Sequence, residues 1–571
     1  MEIQQISVYT GDIISTILNN RGIKDVETFL YPSIRNYTTN INAIANIDLG
    51  IDTFLSHLEN NSNIGLLIDD DTDGITSSAM MYGFIQDFTG GYNNINYYLH
   101  NRKAHGLTKD VVEKIKKDGI NFLIIPDSAT NDVEQIAELY QMGIEVLIID
   151  HHEAEEGWQE NRGILINNQL DGTNKNFVGA GMVLNFLRGV AERTGKPLAS
   201  KYLDLVAVGQ IADSSDISEP EIRGIVFYGL QNIRNPFLKH MLKEKEVVNC
   251  TPKDIGYTVA PLINAVTRLG SVEEKEVLFK AFAGIDTDKV FFVEKKKKNS
   301  DGKFDKVVVE MNILEYAYDL AVKIKGKQDR IVKKEVEEIK KNAITLGIGV
   351  GFITNKDVKG LTGLIAGRLS NTYGIPFLIG KTYEGYVDGS GRGNEKVLAD
   401  FKEWCHSTKL FKLLQGHGNA FGFSIGEDEI GQLMELSKEI EVEKTYYVDL
   451  VVNEKIDHTL AGTLDKHKEI FGGKVTNPLF AFTNISVNKK LISHKGTTLS
   501  FYEDKFKFVK FNEDFDMDYL DSFAGDRVLV DFVGEISINR WNGMEQPQMI
   551  IKDYVIKEQP PKEMTLDNIV F

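Results

Sequence analysis

Carboxylates crowd one short segment of the chain, Asp69-Asp70-Asp71-Thr72-Asp73-Gly74, directly after an apolar run. Because like charges this close repel one another unless a cation offsets them, the segment predicts a divalent-metal site. A calcium loop is one alternative, but its twelfth position needs a bidentate glutamate and holds Met80 here. A solvated acidic turn is the other alternative, and it fits poorly between a strand end and a helix that we expect to begin near Thr76.

Three further polar clusters each follow an apolar run: Pro126-Asp127-Ser128-Ala129-Thr130-Asn131-Asp132, Asp150-His151-His152 and Ile211-Ala212-Asp213. A lone aspartate at a strand end is often only the cap of the next helix, so each cluster alone is a weak signal. Together the four clusters put five candidate ligands on one edge of one sheet: Asp69, Asp71, Asp127, His151 and Asp213. Carboxylates and imidazole without thiolate suit Mn²⁺ or Mg²⁺. This many acidic ligands favours two ions that share a bridging carboxylate and split a phosphate ester with an activated water.

The elements that must position these residues alternate between apolar runs and helix-like stretches from about Ile64 to Asp213. The predicted strands are Gly65–Ile68, Phe122–Ile125, Val146–Ile149 and Leu205–Val208. Continuous apolar strands between amphipathic helices indicate an α/β fold with a parallel sheet buried on both faces. Ligands of such sheets bind just beyond the carboxyl ends of the strands, where the polar clusters fall.

Three regions follow this predicted sheet. A charged helical stretch contains Lys295-Lys296-Lys297-Lys298 and then a proline-free segment from Ile313 to Lys341, which predicts a long connecting helix. A glycine-rich second α/β unit runs from Leu346 to about Ile440. From about Thr445 onward, aromatic-rich segments predict a small β-barrel or sandwich.

Composition narrows the classes of function. Lys and Arg number 65 against 83 Asp and Glu, and the resulting net charge of −18 argues at first sight against a nucleic-acid partner. Two cysteines, Cys250 and Cys405, cannot form a disulfide framework or a four-thiolate zinc site, which suits a reducing cytosol. The N-terminal residues do not resemble a signal peptide, and no apolar run approaches the ~20 residues of a membrane span. We therefore expect a cytoplasmic protein without membrane contact.

The motifs, in their order, carry a family resemblance. The segments DDDTDG, PDSATND, DHH and GQIAD resemble the four motifs of the DHH phosphoesterase superfamily. Six further segments resemble the RecJ type of single-strand-specific exonuclease: FVGAGMVLNFL, YLDLVAVGQIAD, APLINAVTRLG, KGLTGLIAGRL, GSGRG and QGHGNAFGFSI. The resemblance implies an N-terminal region with a DHH domain over 1–300, a connecting helix over 301–345, a DHH-associated domain over 346–442 and an OB-fold domain over 443–571.

The same resemblance implies roles at the predicted metal site. The five candidate ligands would hold two Mn²⁺ or Mg²⁺ ions, with Asp127 bridging them and His152 against the scissile phosphate. The expected catalytic residues are therefore Asp127, His151 and His152. Asp73 and Asp150 are expected to orient or cap rather than to ligate. Where some RecJ-like proteins carry a further histidine, this chain has Leu67, which predicts a weaker metal site.

Residues that hold a nucleic-acid strand are predicted mainly in the second α/β unit. Gly389-Ser390-Gly391-Arg392 offers close backbone approach, a hydroxyl and a bidentate guanidinium, although a tight glycine turn with a surface arginine is the alternative. The resemblance implies that Ser390, Arg392 and Arg268 hold a 5′ terminal phosphate and that His417 lies beside the strand. Weaker candidates for backbone contacts are Arg102, Arg330 and Arg368, the last of which could instead pair with a local carboxylate.

Aromatic residues near the C-terminus are the candidates for base stacking. Lysines and phenylalanines alternate over Lys505–Phe511, and strand alternation puts Phe506 and Phe508 on one face, which favours core positions for both rings. Trp541 is the better stacking candidate because it lies near a predicted turn.

The sequence thus predicts a metal-dependent 5′→3′ exonuclease that acts on single-stranded DNA in a narrow cleft between two α/β domains and releases mononucleotides. One alternative is a phosphodiesterase for short oligonucleotides or cyclic dinucleotides, which would not need an OB-like domain. Another is an inactive single-strand-binding scaffold, which the intact ligand set disfavours. The predicted role is in DNA repair, recombination or replication. A single-strand-binding protein or a helicase is a candidate partner, and the oligomeric state stays open.

Overall fold

The computed structural model describes residues 1–36, 38–101, 103–298, 304–353, 358, 360–441, 445–473, 475–511, 513, 520, 522–523, 525–541 and 544–557. The chain forms two compact units, one of which joins both ends of the sequence. Met1–Pro32 belongs with Lys444–Phe571, and Ser33–Glu443 forms the other unit. The sequence did not suggest this grouping of the N-terminal segment.

Helices and strands are numbered here in chain order over the described residues. The strands are β1 (Glu2–Gln5), β2 (Ile64–Leu67), β3 (Ile95–Tyr98), β4 (Phe122–Pro126), β5 (Glu145–Asp150), β6 (Ile164–Asn167), β7 (Phe291–Lys298), β8 (Phe304–Met311), β9 (Ile344–Thr345), β10 (Gly349–Phe352), β11 (Phe377–Tyr383), β12 (Tyr386–Arg392), β13 (Phe411–His417), β14 (Ala420–Gly426), β15 (Thr445–Val448), β16 (Leu450–Asn453), β17 (Phe480–Asn488), β18 (Ser493–Lys495), β19 (Thr498–Glu503), β20 (Phe506–Phe511), β21 (Arg527–Trp541) and β22 (Met544–Lys557). The helices are α1 (Ile13–Asn20), α2 (Val26–Leu30), α3 (Ile47–Glu59), α4 (Thr72–Thr89), α5 (Lys109–Asp118), α6 (Val133–Gln141), α7 (Asn168–Asp171), α8 (Gly179–Thr194), α9 (Leu203–Ala212), α10 (Pro220–Gln231), α11 (Pro236–Glu244), α12 (Pro252–Asp254), α13 (Ala260–Leu269), α14 (Val272–Ala283), α15 (Ile313–Asn342), α16 (Thr362–Tyr373), α17 (Phe401–Ser407), α18 (Ile430–Ser437) and α19 (Thr459–Lys466).

A parallel sheet in the order β3-β2-β4-β5-β6 supports the carboxylate-rich segments, as the apolar runs predict. Every residue of β2 and β4 is buried, because helices cover both faces of the sheet. The cores on the two faces are separate: Leu66 and Ile124 belong to one, and Leu67 and Ile125 to the other. The α/β fold class is confirmed.

The prediction of a fourth strand at Leu205–Val208 is wrong, because these residues lie in α9. All four are buried, and α9 packs against α4, α8 and α10. A helix surrounded by other helices is apolar on all sides, and a short apolar run of this kind cannot be distinguished from a buried strand by its periodicity. Asp213 therefore follows a helix rather than a strand, at the C-cap of α9.

The prediction that the lysine run is helical is also wrong. Lys295–Lys298 is not helical but completes β7, which pairs antiparallel with β8 in a two-stranded ribbon. The inner face of the ribbon packs on the start of α15, where Phe291 stacks on Tyr316 with ring centroids 4.4 Å apart. Lys295 Nζ lies 2.6 Å from Asp319 Oδ1, so one of these positive charges is already neutralised.

The long connecting helix is confirmed as α15, which spans 30 residues. Asn312 caps it, and Glu315 completes a capping box. The second α/β unit that follows has a mixed sheet in the order β13-β14-β12-β11-β10-β9, with α16 packed against β11 and β12.

The C-terminal strands form a sheet in the order β16-β17-β21-β22-β20-β19-β18 over the described residues. Phe506 and Phe508 are fully buried in its core, which confirms that they are core residues and not stacking residues. In the same unit Arg21 makes a bidentate ion pair with the buried Asp449, which ties the N-terminal segment to this sheet. None of the helices in the described ranges is long and apolar enough to cross a membrane.

Candidate functional site

The carboxylates and histidines predicted as ligands converge at the carboxyl edge of the parallel sheet. Three groups of side chains there have potential ligand atoms within 4.8 Å of one another. The groups overlap, since Asp127 and His151 each belong to two of them: Asp69, Asp71 and Asp127; Asp73, His151 and Asp213; Asp127, Asp150, His151 and His152. The structure thus brings all five predicted ligands together.

The turn between β2 and α4 aims Asp69 and Asp71 at this edge. Asp71 is the N-cap of α4 and accepts a hydrogen bond from Gly74 N at 2.9 Å, so the helix begins at Thr72 and not near Thr76. Gly74 has no substitute here, because a Cβ would lie 2.6 Å from the Asp69 Cβ. The N-terminus of α4 therefore lies directly beneath the carboxylates, where its dipole favours negative charge.

Asp127 occupies a strained position at the end of β4. Its backbone has φ +67°, in the left-handed region that a non-glycine residue rarely adopts, and its N–H donates to Ile149 O at 2.8 Å. The side chain is 2% exposed, and Oδ1 accepts no hydrogen bond from any described residue. A buried carboxylate with an open oxygen is expected where a cation binds. Strain at such a residue is typical of functional sites.

Asp150 orients the two histidines that follow it. Its carboxylate accepts from His151 N at 2.7 Å and lies 2.7 Å from His152 Nδ1, and its other oxygen accepts from the Thr130 hydroxyl at 2.6 Å. Burial acts to raise the pKa of Asp150, but these partners outweigh it and hold that pKa well below its ordinary value. The imidazole of His152 is thereby fixed in direction.

The two histidines differ in charge. Burial and the neighbouring His152 lower the pKa of His151, which favours the neutral ring that a metal ligand requires. Its Nε2 lies 3.2 Å from Asp127 Oδ1 and 3.5 Å from Asp213 Oδ2. Burial also opposes protonation of His152, yet Asp150 raises the pKa of His152 to about 10. At neutral pH His152 is therefore a cation at the edge of the site.

The repulsion among the carboxylates indicates whether the site suits divalent cations. Burial, and then the charge of Asp73, raise the pKa of Asp127 well above its ordinary value. Burial raises the pKa of Asp213 to about 7, and burial together with Asp71 raises that of Asp73 to about 7. Mn²⁺ or Mg²⁺ would relieve the repulsion among these carboxylates, two of which, Asp73 and Asp127, each have an oxygen without a hydrogen-bond partner among the described residues. The residues present fit such ions.

Asp73 departs in part from the expected orienting role. One oxygen accepts from Ala180 N at 3.0 Å, as an orienting group would, but the other has no hydrogen-bond partner among the described residues. Asp73 is also within ligand distance of His151 and Asp213, so the geometry makes it a sixth candidate ligand.

The residues predicted to seat a terminal phosphate also lie near the carboxylates. Arg268 is in the last turn of α13 and interacts electrostatically with Asp71. Arg392, at the end of β12, is close enough to Arg268 that burial and this second cation lower its pKa. The Ser390 hydroxyl lies 2.8 Å from the Thr362 hydroxyl. Two largely desolvated arginines that interact with each other suit the binding of a dianion.

The remaining predicted strand contacts are scattered. Arg102 lies outside the described residues. Arg330 is exposed on α15, and Arg368 Nη2 is 3.7 Å from Asp329 Oδ1, as the alternative prediction for Arg368 had it. His417 is exposed at the end of β13. Trp541 belongs to the other compact unit and is 68% exposed.

Sequence reasoning missed the segment that follows β3. His105 Nδ1 lies 2.6 Å from Asp69 Oδ2, and Gly106 N donates to Asp69 Oδ1 at 3.2 Å. Desolvation and the nearby Arg268 lower the pKa of Lys103, which places a third cation beside the arginines. The sequence signal was weak because Ile95–Tyr98 is a short edge strand without a continuous apolar run. Once β3 is recognised, the polar residues after it are candidates by the same strand-end rule.

Comparisons with known proteins find similarity over two domains and over almost the whole chain. The family model described as the N-terminal domain of the DHH family matches residues 63–210, and the one described as the RecJ OB domain matches residues 449–553. The SPbeta prophage protein YorK of Bacillus subtilis, named as a single-strand DNA-specific exonuclease, is 31% identical over 97% of this chain and 98% of its own. The single-stranded-DNA-specific exonuclease RecJ of Haemophilus influenzae is 23% identical over 70% of this chain and 69% of its own.

A solved structure shares the fold. The crystal structure of RecJ in complex with Mn²⁺ from Thermus thermophilus superposes with a TM-score of 0.72 and covers 96% of this chain and 76% of that chain. The sequence identity is 16%, so this similarity concerns the fold.

Proposed function

The chain belongs to the RecJ-like single-strand DNA-specific exonucleases of the DHH superfamily, and on that premise we propose that it hydrolyses single-stranded DNA from the 5′ end to 5′-mononucleotides. The observation that supports this most directly is the set of carboxylates and histidines gathered at the carboxyl edge of the parallel sheet. Proteins that split phosphodiesters with two divalent ions use ligand sets of this kind.

Two Mn²⁺ or Mg²⁺ ions would be held by Asp69, Asp71, Asp127, His151 and Asp213, with Asp127 between them. When bound, such ions activate a water molecule for attack and offset the charge on the phosphate. Asp127 suits the shared position because it belongs to two of the three ligand groups and because the charges of four other aspartates, Asp73, Asp71, Asp69 and Asp213, act on it. Asp73 is close enough to serve as a further ligand or to orient its neighbours.

His152 supplies a cation that belongs to the chain itself. With its pKa raised to about 10 and its Nδ1 held by Asp150, it presents Nε2–H as a donor toward a phosphate oxygen. A positioned donor of this kind stabilises negative charge that grows on the phosphate during attack. His152 is thus proposed to bind and polarise the scissile phosphate.

The proposed direction of cleavage is based on the residues that would bind the 5′ end of the strand. Arg268, Arg392 and Ser390 would hold a 5′ terminal phosphate, and the next phosphodiester would then lie over the carboxylates. Holding the end of the strand this way limits each cleavage to one nucleotide, which is the behaviour of an exonuclease. We place the activity in DNA repair, recombination or replication, with single-stranded DNA as the substrate.

The type and length of the substrate that the protein prefers would distinguish this proposal from its alternatives. We expect Mn²⁺-dependent degradation of a 5′-phosphorylated single strand and little degradation of the matching duplex. A phosphodiesterase for short substrates would instead prefer a dinucleotide, and an inactive scaffold would bind the strand without cleaving it. The match to an OB-domain model over residues 449–553 favours a long strand over a dinucleotide. Preference for the dinucleotide, or binding without any product, would overturn the proposal.

A further inference from the structure

A buried ion pair lies within the first acidic motif but takes no part in the proposed chemistry. The Lys275 ammonium on α14 lies 2.8 Å from Asp70 Oδ2, and each side chain is 1% exposed. Lys275 Nζ also donates to His100 O at 3.0 Å, and Asp70 Oδ2 accepts from Ala104 N at 3.2 Å. These four groups, which we call the clamp, join α14, the motif and the segment after β3.

Stability alone does not account for such a pair. Desolvation of two charges costs about as much as their attraction returns, and well-packed apolar residues often serve a core as well or better. A buried ion pair that adds little net stability, because desolvation offsets its attraction, is expected to specify the arrangement of the segments that it joins.

Those segments lead directly to a proposed metal ligand. Asp70 stands between Asp69 and Asp71 in the chain, so fixing its side chain also limits the motions of its neighbours. The segment that the clamp holds at His100 and Ala104 continues into His105 and Gly106, both of which contact the Asp69 carboxylate. The clamp therefore acts on Asp69 from both sides, through the backbone of the motif and through the segment after β3.

We propose that Lys275 is a positioning residue for the metal centre, which holds Asp69, His100 and the stretch from Ala104 to Gly106 in the arrangement that binds divalent ions. The proposal rests on the proposed function for its metal, and it adds a residue of α14 that none of the predicted ligand or strand contacts includes. Groups that orient metal ligands in this indirect way commonly change metal affinity by about 10-fold to 100-fold.

Three variants of the full-length protein test the clamp. Lys275→Met removes the cation, and the double variant Asp70→Asn/Lys275→Met removes both charges, so that no unpaired charge stays buried even if the single variant folds poorly. Lys280→Met is the matched control on the same helix, because Lys280 makes ion pairs of 2.9 Å with Glu276 and Asp286 away from the motif. The measurements are Mn²⁺ affinity by calorimetry, thermal unfolding in EDTA, and amide hydrogen exchange of the segment from Lys103 to Leu107.

For a clamp, both Lys275 variants should bind Mn²⁺ about 10-fold to 100-fold more weakly and should exchange the Lys103–Leu107 amides faster. The double variant should regain thermal stability without regaining Mn²⁺ affinity. Lys280→Met should bind Mn²⁺ like the wild type. Wild-type Mn²⁺ affinity in the double variant would overturn the proposal and leave the pair a purely structural one. The titration contains no DNA, so normal Mn²⁺ binding without strand cleavage would overturn the proposed function and not the clamp.

Discussion

Asp127 illustrates how single residues define this site. It combines a left-handed backbone, nearly complete burial and an oxygen that has no hydrogen-bond donor among the described residues, and each of these features is costly without a metal. Metal binding would offset the last two costs together. The strain and the chemistry thus belong to the same residue.

Asp127→Ala is expected to abolish cleavage while strand binding persists. The shared carboxylate would be lost, but the arginines proposed to hold the strand would be unchanged, so affinity for single-stranded DNA should stay within about threefold. Initial rates in Mn²⁺ and fluorescence anisotropy measure the two effects. The exposed Asp428→Ala is the control. Turnover above about a hundredth of the wild-type rate would count against a bridging role.

Stability without metal should depend on pH in an unusual direction. Asp73 and Asp213 have pKa values raised to about 7, above the value of about 4 in an unfolded chain. Such groups favour the folded state at low pH, and this contribution is lost as pH rises through the folded-state pKa. In EDTA the Tm should therefore fall between about pH 4 and pH 7 and level off above pH 7, and the increase in Tm on adding Mn²⁺ should be larger at the higher pH. A metal-free Tm that rises over this interval would contradict the carboxylate crowding.

At the level of elements, strand ends and helix starts position most of the candidate ligands, and this part was predictable. Apolar runs followed by Asp69, Asp127 and His151 predicted the edge of the sheet correctly, because strands buried on both faces leave a clear signal. Asp213 lies at the same site, but it follows a helix that the sequence predicted to be a strand. The location of Asp213 among the candidate ligands was predicted correctly although its element was not.

The indirect contacts were not predictable, for a physical reason. Lys275 lies on an amphipathic helix where a lysine would be assigned to the solvent face, and only the tertiary packing of α14 against α4 puts it beside Asp70. His105 follows β3, whose sequence lacks a continuous apolar run. Patterns of residue types along the chain predict local secondary structure. The contacts of Lys275 and His105 depend instead on which elements pack together in the tertiary structure.

The first residue of α8 offers a test at this scale. A Cβ at Gly179 would lie 2.4 Å from Asp127 Oδ1, so Gly179→Ala should displace that carboxylate while suiting the helix itself. We expect Mn²⁺ affinity to fall about 10-fold or more, and Tm to fall as well, because the added Cβ would also lie 2.5 Å from the Cβ of the buried Asp127. Gly431→Ala, near the start of α18, is the matched control, because a Cβ there meets nothing within 4 Å. Equal Mn²⁺ affinity in both variants would show that α8 does not constrain Asp127.

At the scale of the whole molecule, the net charge of −18 first argued against a nucleic-acid partner. The structure concentrates several of the negative charges where divalent ions would offset them, and it gathers Arg268, Arg392 and Lys103 beside them. This distribution of charge is therefore compatible with DNA binding, although the net charge alone argues against it. The lysine run on β7 contributes less than expected, since Lys295 is paired with Asp319.

Trp541 tests the contribution of the C-terminal unit. The ring is 68% exposed at the end of β21, while the adjacent Arg540 is held by Asp465 and Glu545. Stacking of one base is worth about 1 to 3 kcal/mol, so Trp541→Ala should weaken binding of a long single strand by about 5-fold to 150-fold. Tm and kcat at saturating DNA should be unchanged. Tyr502→Ala, also in this unit and 50% exposed, is the control, and equal effects of both variants would remove any special role for Trp541.

The most direct test of a metal-dependent 5′→3′ exonuclease is digestion of one single strand labelled at either end, in Mn²⁺, in Mg²⁺ and in EDTA. With the 5′ label, a labelled mononucleotide should be the first product in either metal. With the 3′ label, the long strand should shorten progressively from its other end, and EDTA should stop both reactions. Early release of a labelled mononucleotide from the 3′ end, or unchanged digestion in EDTA, would contradict the account.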